Sequence, residues 1–590
     1  MPVLDNEVGE VVGTVGDTEY RQVLLNPAVG ATHVTPDGRT WVAVREGVVN
    51  GQVVPSPFTI HWKGTAEAEF DIGLELHGPS PSQLDAAQSE LLQHPEVSRQ
   101  LAGSRFQVLS FTLQDSGIKS GEPSIPNQVR LSLYDYTHNR TLVVTSRLGA
   151  SETVEISEYG SHELPVRDEF DAAVNLLRQH ADLGPRLLDG TVTPYRPMPP
   201  LVPVELPDGR IERNIAVGLN GGGDTRHRIV SVNLNRDHII VDRLPDVAFP
   251  SNSNCGPPAV DNCAGSGSAQ RANVTIKQGA NTLWTFQVVR PSASSGTNGS
   301  AIELQHVRYK GKQVLYRAHV PILNIQYLNA GGGCGPTYRD WQNQEACFQA
   351  TGTDPLPGFR LCSSPATTIF DTGSDSGNFR GVAIYKQGQE VVLVSELAAG
   401  WYRYISIWRF HADGTIRPRF AFGATDNPCT CQTHHHHVYW RFDFDIETAA
   451  NNLVEEFNDP ILVGNSHWHK KVYEIRRSRD AAHKRKWKVS NTVTGSGYEL
   501  IPGANDGKAD AYGIGDLWIL RYKSSEIDDG QGFTTDPALS FAHLDKFKSP
   551  AELVENQDVV LWYSGHFLHD ETHAGGQPHI IGPDLKPVNW

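Results

Sequence analysis

From about residue 209 to the C-terminus, the sequence is built of short runs in which apolar and polar residues alternate, separated by turn residues. "HRIVSVNLN", "ANVTIKQG", "NTLWTFQVVRP" and "WYRYISIWRFHADGTI" are examples. Period-two alternation sends successive side chains to opposite faces of a strand, so every run has a face to bury. About 380 residues of this kind with few helical stretches predict one large β-sandwich, longer than an immunoglobulin-like module. Upstream the pattern changes. Residues 1–75 read as short Val-rich strands and turns. Residues 76–158 open with the helical pattern "SPSQLDAAQSELLQHPEV" and continue as strands, which predicts a small α/β domain. Residues 159–208 predict a second such domain, with a helix over "RDEFDAAVNLLRQHADLG" ending at Gly184 and a proline-rich linker, "TPYRPMPPLVPVELPDG". The predicted class is mainly β, small α/β domains preceding a β-sandwich over 209–590.

Charge narrows the partners. An excess of 67 acidic over 51 basic residues gives a net charge of -16, which repels a phosphate backbone and argues against nucleic acid. No stretch approaches the roughly 18 apolar residues of a membrane helix, and the first residues lack the basic and apolar regions of a signal peptide. Seven cysteines (255, 263, 334, 347, 362, 429 and 431) all lie in the second part of the chain, several of them in Gly/Ser/Pro-rich loops. Such loops suit disulfides, and the odd count leaves at least one thiol unpaired within the chain. With the sequons at Asn139, Asn273 and Asn298, they make a secreted or periplasmic location the expectation.

The chemistry concentrates in "CQTHHHHVYWRFDFDIE", residues 431–447. On a strand, residues two apart share a face about 6 to 7 Å from each other, so His434 and His436 can converge on one ion. Val438, Trp440, Phe442 and Phe444 follow on that face, which predicts burial, and a buried imidazole without a partner costs roughly 1 to 3 kcal/mol unless a metal satisfies it. His435 and His437 share the other face with Arg441, Asp443 and Asp445, where charged neighbours relieve them of that need. Asp443 and Asp445 form a second pair at the same spacing, hard oxygen donors suited to Ca²⁺ or Mn²⁺. The competing interpretation is a polar strand end with solvated side chains.

"HHHHVYWRFDFDI" resembles the copper amine oxidases, whose copper strand reads H-x-H, then Arg five residues on, then D-x-D; Arg441 fills the arginine position and selects His434 and His436. In that family a third copper histidine follows a tryptophan by seven residues, and an acidic residue of a peripheral ion site lies eleven before it. "NQDVVLWYSGHFLHDETH" places Trp562, His569 and Asp558 at those spacings, with His566 and His573 as alternatives because Gly565 is one place early. "ELAAGWYRYISIWRFHADGTI" resembles the segment whose tyrosine becomes topaquinone, with Tyr402, Trp408 and Asp413–Ile416 in the matching places. It departs at Trp401 and Arg403, where the family has Asn and an acidic residue. The resemblance further implies Asp340 as the general base, Tyr327 as the tyrosine gating the substrate channel, a disulfide between Cys347 and Cys362, an ion held by Asp443, Asp445, Asp558 and the main-chain oxygens of Phe444 and Val559, and a homodimer.

What the resemblance implies in full is oxidative deamination of a primary amine to an aldehyde by copper, O₂ and a quinone derived from Tyr402, releasing H₂O₂ and ammonia. The alternatives are a copper oxidase or oxygenase on the same scaffold with Tyr402 unmodified, in which Arg403 favours a carboxylate-bearing substrate, and an inactive metal-binding protein.

Overall fold

The computed structural model describes residues 11–590 except 16–17, 24–26, 35–39, 50–51, 56–59, 66–68, 115–118, 120–123, 160–162, 208–210, 222–227, 241–255, 261, 264–266, 268, 329–333 and 570–579. The alternating segments fold as expected into two large sheets packed face to face. One, of ten strands, carries the histidine strand His434–Phe444 between the long strand Lys312–Tyr327 and the C-terminal strand Val559–His569. The other, of twelve strands, carries Tyr402–His411 between Glu390–Ala399 and Ile416–Ala424. Between the sheets lies a core rich in aromatic rings, among them Trp284, Trp408, Phe410, Phe420, Trp440 and Phe442, all buried. Rings of this size exclude water over a wide area, so the polar groups set among them are functional candidates.

Two small sheets precede the sandwich. In the first, four antiparallel strands between Phe106 and Tyr159 are covered by the helices Pro81–Gln93 and Pro95–Gln100 through Leu84, Leu91 and Val97. Ser80 and Gln83 form a capping box at the start of the first helix, which explains why the helical pattern begins there. In the second, the helix Arg167–Leu177 packs on the strand Ile211–Gly221. That helix stops at Leu177; Gly184 instead opens a short helix, Gly184–Leu188.

The proline-rich stretch is strand rather than linker. Val192–Tyr195 and Leu201–Glu205 both pair with Ile211–Gly221, and Pro194 and Pro203 sit in them because an edge strand has a side that needs no donors. The second small sheet therefore runs on to Ile240, past the boundary expected at 208. Likewise, Phe70–Leu76 pairs with Arg271–Gln278 and forms an edge of the ten-stranded sheet, so residues 1–75 are not a unit apart. Before it, Val11–Thr65 contributes a five-stranded sheet and a hairpin around Trp41 and Trp62. Among the described residues, no helix is long and apolar enough to cross a membrane.

The disulfides correct the sequence expectation. Cys263 pairs with Cys347 and Cys334 with Cys429, while Cys362 is a free thiol that burial pushes up to about 11. Cys431 is also disulfide-bonded, and Cys255 lies outside the described residues. Cys347 is claimed by the segment around residue 263, which spacing along the chain did not reveal. Of the sequons, Asn298 is 4% exposed and donates to the Gln531 carbonyl, which makes it a structural amide rather than a glycan acceptor.

Candidate metal centre

The histidine strand and the C-terminal strand pair antiparallel without a break, and the register sets His434 directly opposite His569. His436, two residues on, shares the face. The three imidazoles offer ligand atoms within 4.8 Å of one another, with ring centroids 4.8 Å apart for His434 and His436 and 4.7 Å for His434 and His569. The opposite sheet supplies Tyr402, whose ring meets that of His436 edge-on at 4.8 Å. Its hydroxyl contacts His434 Nε2. On the far side of the His434 ring, Nδ1 lies against the Gln432 carbonyl, an acceptor only, so Nδ1 carries the proton and Nε2 presents its lone pair to the space before Tyr402.

These residues fit copper. Both nitrogens of His436 are buried without a hydrogen-bond partner, between Phe422 at 4.6 Å and Phe567 at 6.1 Å. An imidazole orphaned in such surroundings is stabilised by an ion, and neutral imidazoles are the donors that Cu²⁺ prefers. Burial holds His434 and His436 well below the usual histidine range, and the neighbouring imidazoles add to it, so both are in the neutral form that ligation requires. Of the two alternative third ligands, His566 projects from the opposite face of the sheet and bonds to His437, and His573 lies outside the described residues.

Around Tyr402 the packing is close. Tyr404, on the same face of its strand, stacks on it at 5.3 Å and 11°, and donates its hydroxyl to Asp340 Oδ2. Asp340 is fully buried, and burial pushes its carboxyl well above the ordinary carboxylate range, opposed in part by that hydrogen bond. Tyr327 lies opposite His434 in register on the long strand and stacks on its ring at 4.7 Å. All five expected residues of this group, His434, His436, His569, Tyr402 and Tyr327, thus meet, with Asp340 joined through Tyr404. Tyr404 was missed from sequence although its signal was present: it stands two places from Tyr402, on the same face.

Of the two departures from the family pattern, Trp401 stays at the site, its indole beside the hydroxyls of Tyr327 and Tyr402, and only Arg403 points elsewhere. Trp401 is buried, with Tyr338 edge-on to it at 6.0 Å. Arg403, one residue on, projects from the other face and forms a two-pronged ion pair with buried Asp375, at 2.6 and 2.9 Å. Its charge is therefore taken up inside the protein and is not presented to a substrate, against the expectation of a carboxylate-binding arginine. Asp375 stands 28 residues earlier, too far for sequence spacing to pair the two.

The carboxylates of the second expected site also come together. Asp443, Asp445 and Asp558 offer oxygens within 4.8 Å of one another, and Phe444 faces Val559 in register. At their centre stands Lys119, whose Nζ lies 2.7, 2.6 and 2.7 Å from the three carboxylates. The rings of Tyr522 and Tyr316 flank the ammonium at 4.6 and 4.9 Å. Burial works against a charged lysine here, but the three carboxylates hold its pKa well above the usual value. Burial and then the charge of Asp443 keep Asp445 up at about 7 and Asp558 up at about 6. In this structure the charge of the trio is met by the chain itself, through Lys119. No sequence signal indicated Lys119, which is more than 300 residues from its partners.

A two-sheet β-sandwich with three imidazoles on one sheet and a tyrosine hydroxyl reaching them from the other has the donor set for a transition-metal ion. Over 269 residues the chain is 25% identical to the copper-containing amine oxidase gamma 2 of Arabidopsis thaliana, a match spanning 36% of this chain and 39% of that protein. Over 376 residues it is 22% identical to primary amine oxidase 1 of the same plant, spanning 48% of this chain and 56% of that protein. The matches thus span less than two thirds of these relatives' lengths. No family model matches. The fold is similar to that of a copper-containing benzylamine oxidase from Hansenula polymorpha, with a TM-score of 0.52 at 12% identity, over 88% of this chain and 93% of that one. In sequence, at low identity, and in fold, the chain is thus similar to copper amine oxidases.

Proposed function

We propose that the protein is a copper-dependent oxidase that deaminates a primary amine, taking up O₂ and water and releasing an aldehyde, ammonia and H₂O₂. The observation that carries this reading is the Tyr402 hydroxyl resting against the lone pair of His434, beside an orphaned His436. Bound copper, together with a quinone formed from Tyr402, supplies the two-electron oxidation of the amine-bearing carbon. His434, His436 and His569 hold the metal, and Gln432 fixes the His434 ring for it. Asp340 takes the proton from the carbon beside the amine nitrogen at Oδ1, the oxygen that has no hydrogen-bond donor, while Tyr404 anchors Oδ2. Aromatic walls keep water from the reacting carbon. Disulfides favour an oxidising compartment for this protein, secreted or periplasmic, and the resemblance favours a homodimer.

Copper-loaded protein treated with phenylhydrazine in air is expected to give a coloured adduct on the peptide that carries Tyr402. Copper bound without an adduct overturns the quinone and leaves a copper oxidase with an unmodified phenol, the reading that Trp401 and Arg403 favour. Asp340→Asn is expected to lower kcat by about 10²- to 10⁴-fold with copper content unchanged. A base must lose its proton to act, and burial raises this one, so the acid limb of kcat/KM in the parent enzyme should lie above the ordinary carboxylate range. A pH–rate profile on any turned-over amine reads that limb directly.

A further inference from the structure

The odd-numbered histidines of the run are not on a solvated face. His437, Tyr439, Arg441 and Asp443 are all buried, because the segment around Ala542 and Leu544 packs on that side of the sheet, against Tyr439 and Trp518. His435 and Asp510, by contrast, keep partial exposure, at 26% and 31% of their side chains.

We infer that His435, His437 and Asp510 form a second metal site, for a zinc-class divalent ion, on the opposite face of the strand that carries the first. The argument runs through tautomers. His566 Nε2 lies 3.1 Å from the Gly515 carbonyl and 3.2 Å from Asp516, whose charge is also met by Arg479 at 3.1 Å. The Ser564 hydroxyl also lies 3.1 Å from Nε2, but its hydrogen goes to the Gly515 carbonyl at 2.6 Å, so all three neighbours accept, Nε2 carries the proton and Nδ1 of His566 is a lone pair. That lone pair accepts from His437 Nδ1 at 2.8 Å. His437 Nε2 is in consequence a second lone pair, fully buried, with no hydrogen-bond partner, 3.9 Å from Asp510 Oδ2. Two acceptors confront each other across a gap too long for a hydrogen bond, and a cation between them resolves the conflict.

The rest of the arrangement is built to hold one. Asp510 Oδ1 accepts from the main-chain N–H groups of Tyr512 and Gly513, at 2.9 and 2.5 Å, which turns Oδ2 toward the histidines. Gly513 is required: a Cβ there would come within 2.1 Å of His437 Nδ1. His435 Nδ1 lies 2.9 Å from the same Asp510 oxygen, and the three ligand atoms fall within 4.8 Å of one another. An ion about 2.1 Å from each donor spaces them about 3.4 Å apart in tetrahedral geometry. Small side-chain adjustments therefore complete the set, and the exposed edge at His435 leaves the fourth position to water. Two imidazoles and one carboxylate suit Zn²⁺ among common ions.

The test uses the full chain stripped of metal, reloaded with one equivalent of Cu²⁺, titrated with Zn²⁺ and passed through gel filtration before metal analysis. One copper and one zinc per chain are expected. Asp510→Asn should keep the copper and lose the zinc, and His435→Gln, at a partly exposed position, should weaken zinc binding at least tenfold. Parent protein that retains no zinc, or either variant binding it as tightly as the parent, overturns the inference. Because copper is counted separately, loss of the first site is told apart from loss of the second.

Discussion

His436→Leu is expected to abolish copper binding while making the metal-free protein more resistant to heat. In the folded chain His436 packs among Phe422, Phe567, Tyr402 and Tyr404, and neither of its nitrogens has a hydrogen-bond partner. A buried polar group in that condition costs about 1–3 kcal/mol, which a side chain of similar volume without polar atoms recovers. The same change removes one of three imidazoles, and copper affinity should fall at least about a thousandfold, roughly 4 kcal/mol. Equilibrium dialysis reads the affinity and a thermal scan of the metal-free form reads the stability. Unchanged copper binding would remove His436 from the site, and a lowered melting temperature would show that the ring is satisfied in some other way. Tyr402→Phe separates metal from cofactor: copper should stay, and the hydrazine adduct and amine turnover should vanish.

The pairing of stability cost with function explains why this part of the chain was the most legible. Alternation placed His434 and His436 on an apolar face, where imidazoles have no other reason to be. The match at Trp562 and His569 needed only spacing, and the register then made His569 the direct cross-strand neighbour of His434. What parity did not disclose is what covers the other face. Charged neighbours on a strand, such as Arg441 and Asp443, are ordinarily read as solvated, yet here Glu526 meets Arg441 at 2.7 Å and the trio around Lys119 absorbs Asp443. Partners of that kind come from loops tens to hundreds of residues away, and neither hydrophobic period nor motif spacing carries them. The same limit misassigned Cys347: two cysteines on neighbouring loops leave no mark on each other's local sequence. It also left Arg403 open, since only the fold reveals Asp375 behind it.

Lys119→Ala is expected to destabilise the protein strongly, and Ca²⁺ to restore it. Removing the ammonium leaves Asp443, Asp445 and Asp558 facing one another in a site where Asp443 is fully buried and the lysine itself was only 11% exposed. Deleting one partner of a buried ion pair costs about 3–5 kcal/mol, and here a single cation serves three carboxylates. Truncation to Ala also opens the volume that the ammonium filled, lined by hard oxygen donors of the kind Ca²⁺ takes. A ligand that binds the folded state alone raises the melting temperature in proportion to the logarithm of its concentration. Millimolar Ca²⁺ should therefore raise the melting temperature of copper-free Lys119→Ala and leave that of the copper-free parent unmoved. If the parent gains as much as the variant, Lys119 is a displaceable visitor in an ion site, and the family's peripheral metal persists in this chain. If neither responds and the variant is no less stable, the three carboxylates are held apart by other means. The chain would then have exchanged a metal for an internal cation without depending on it.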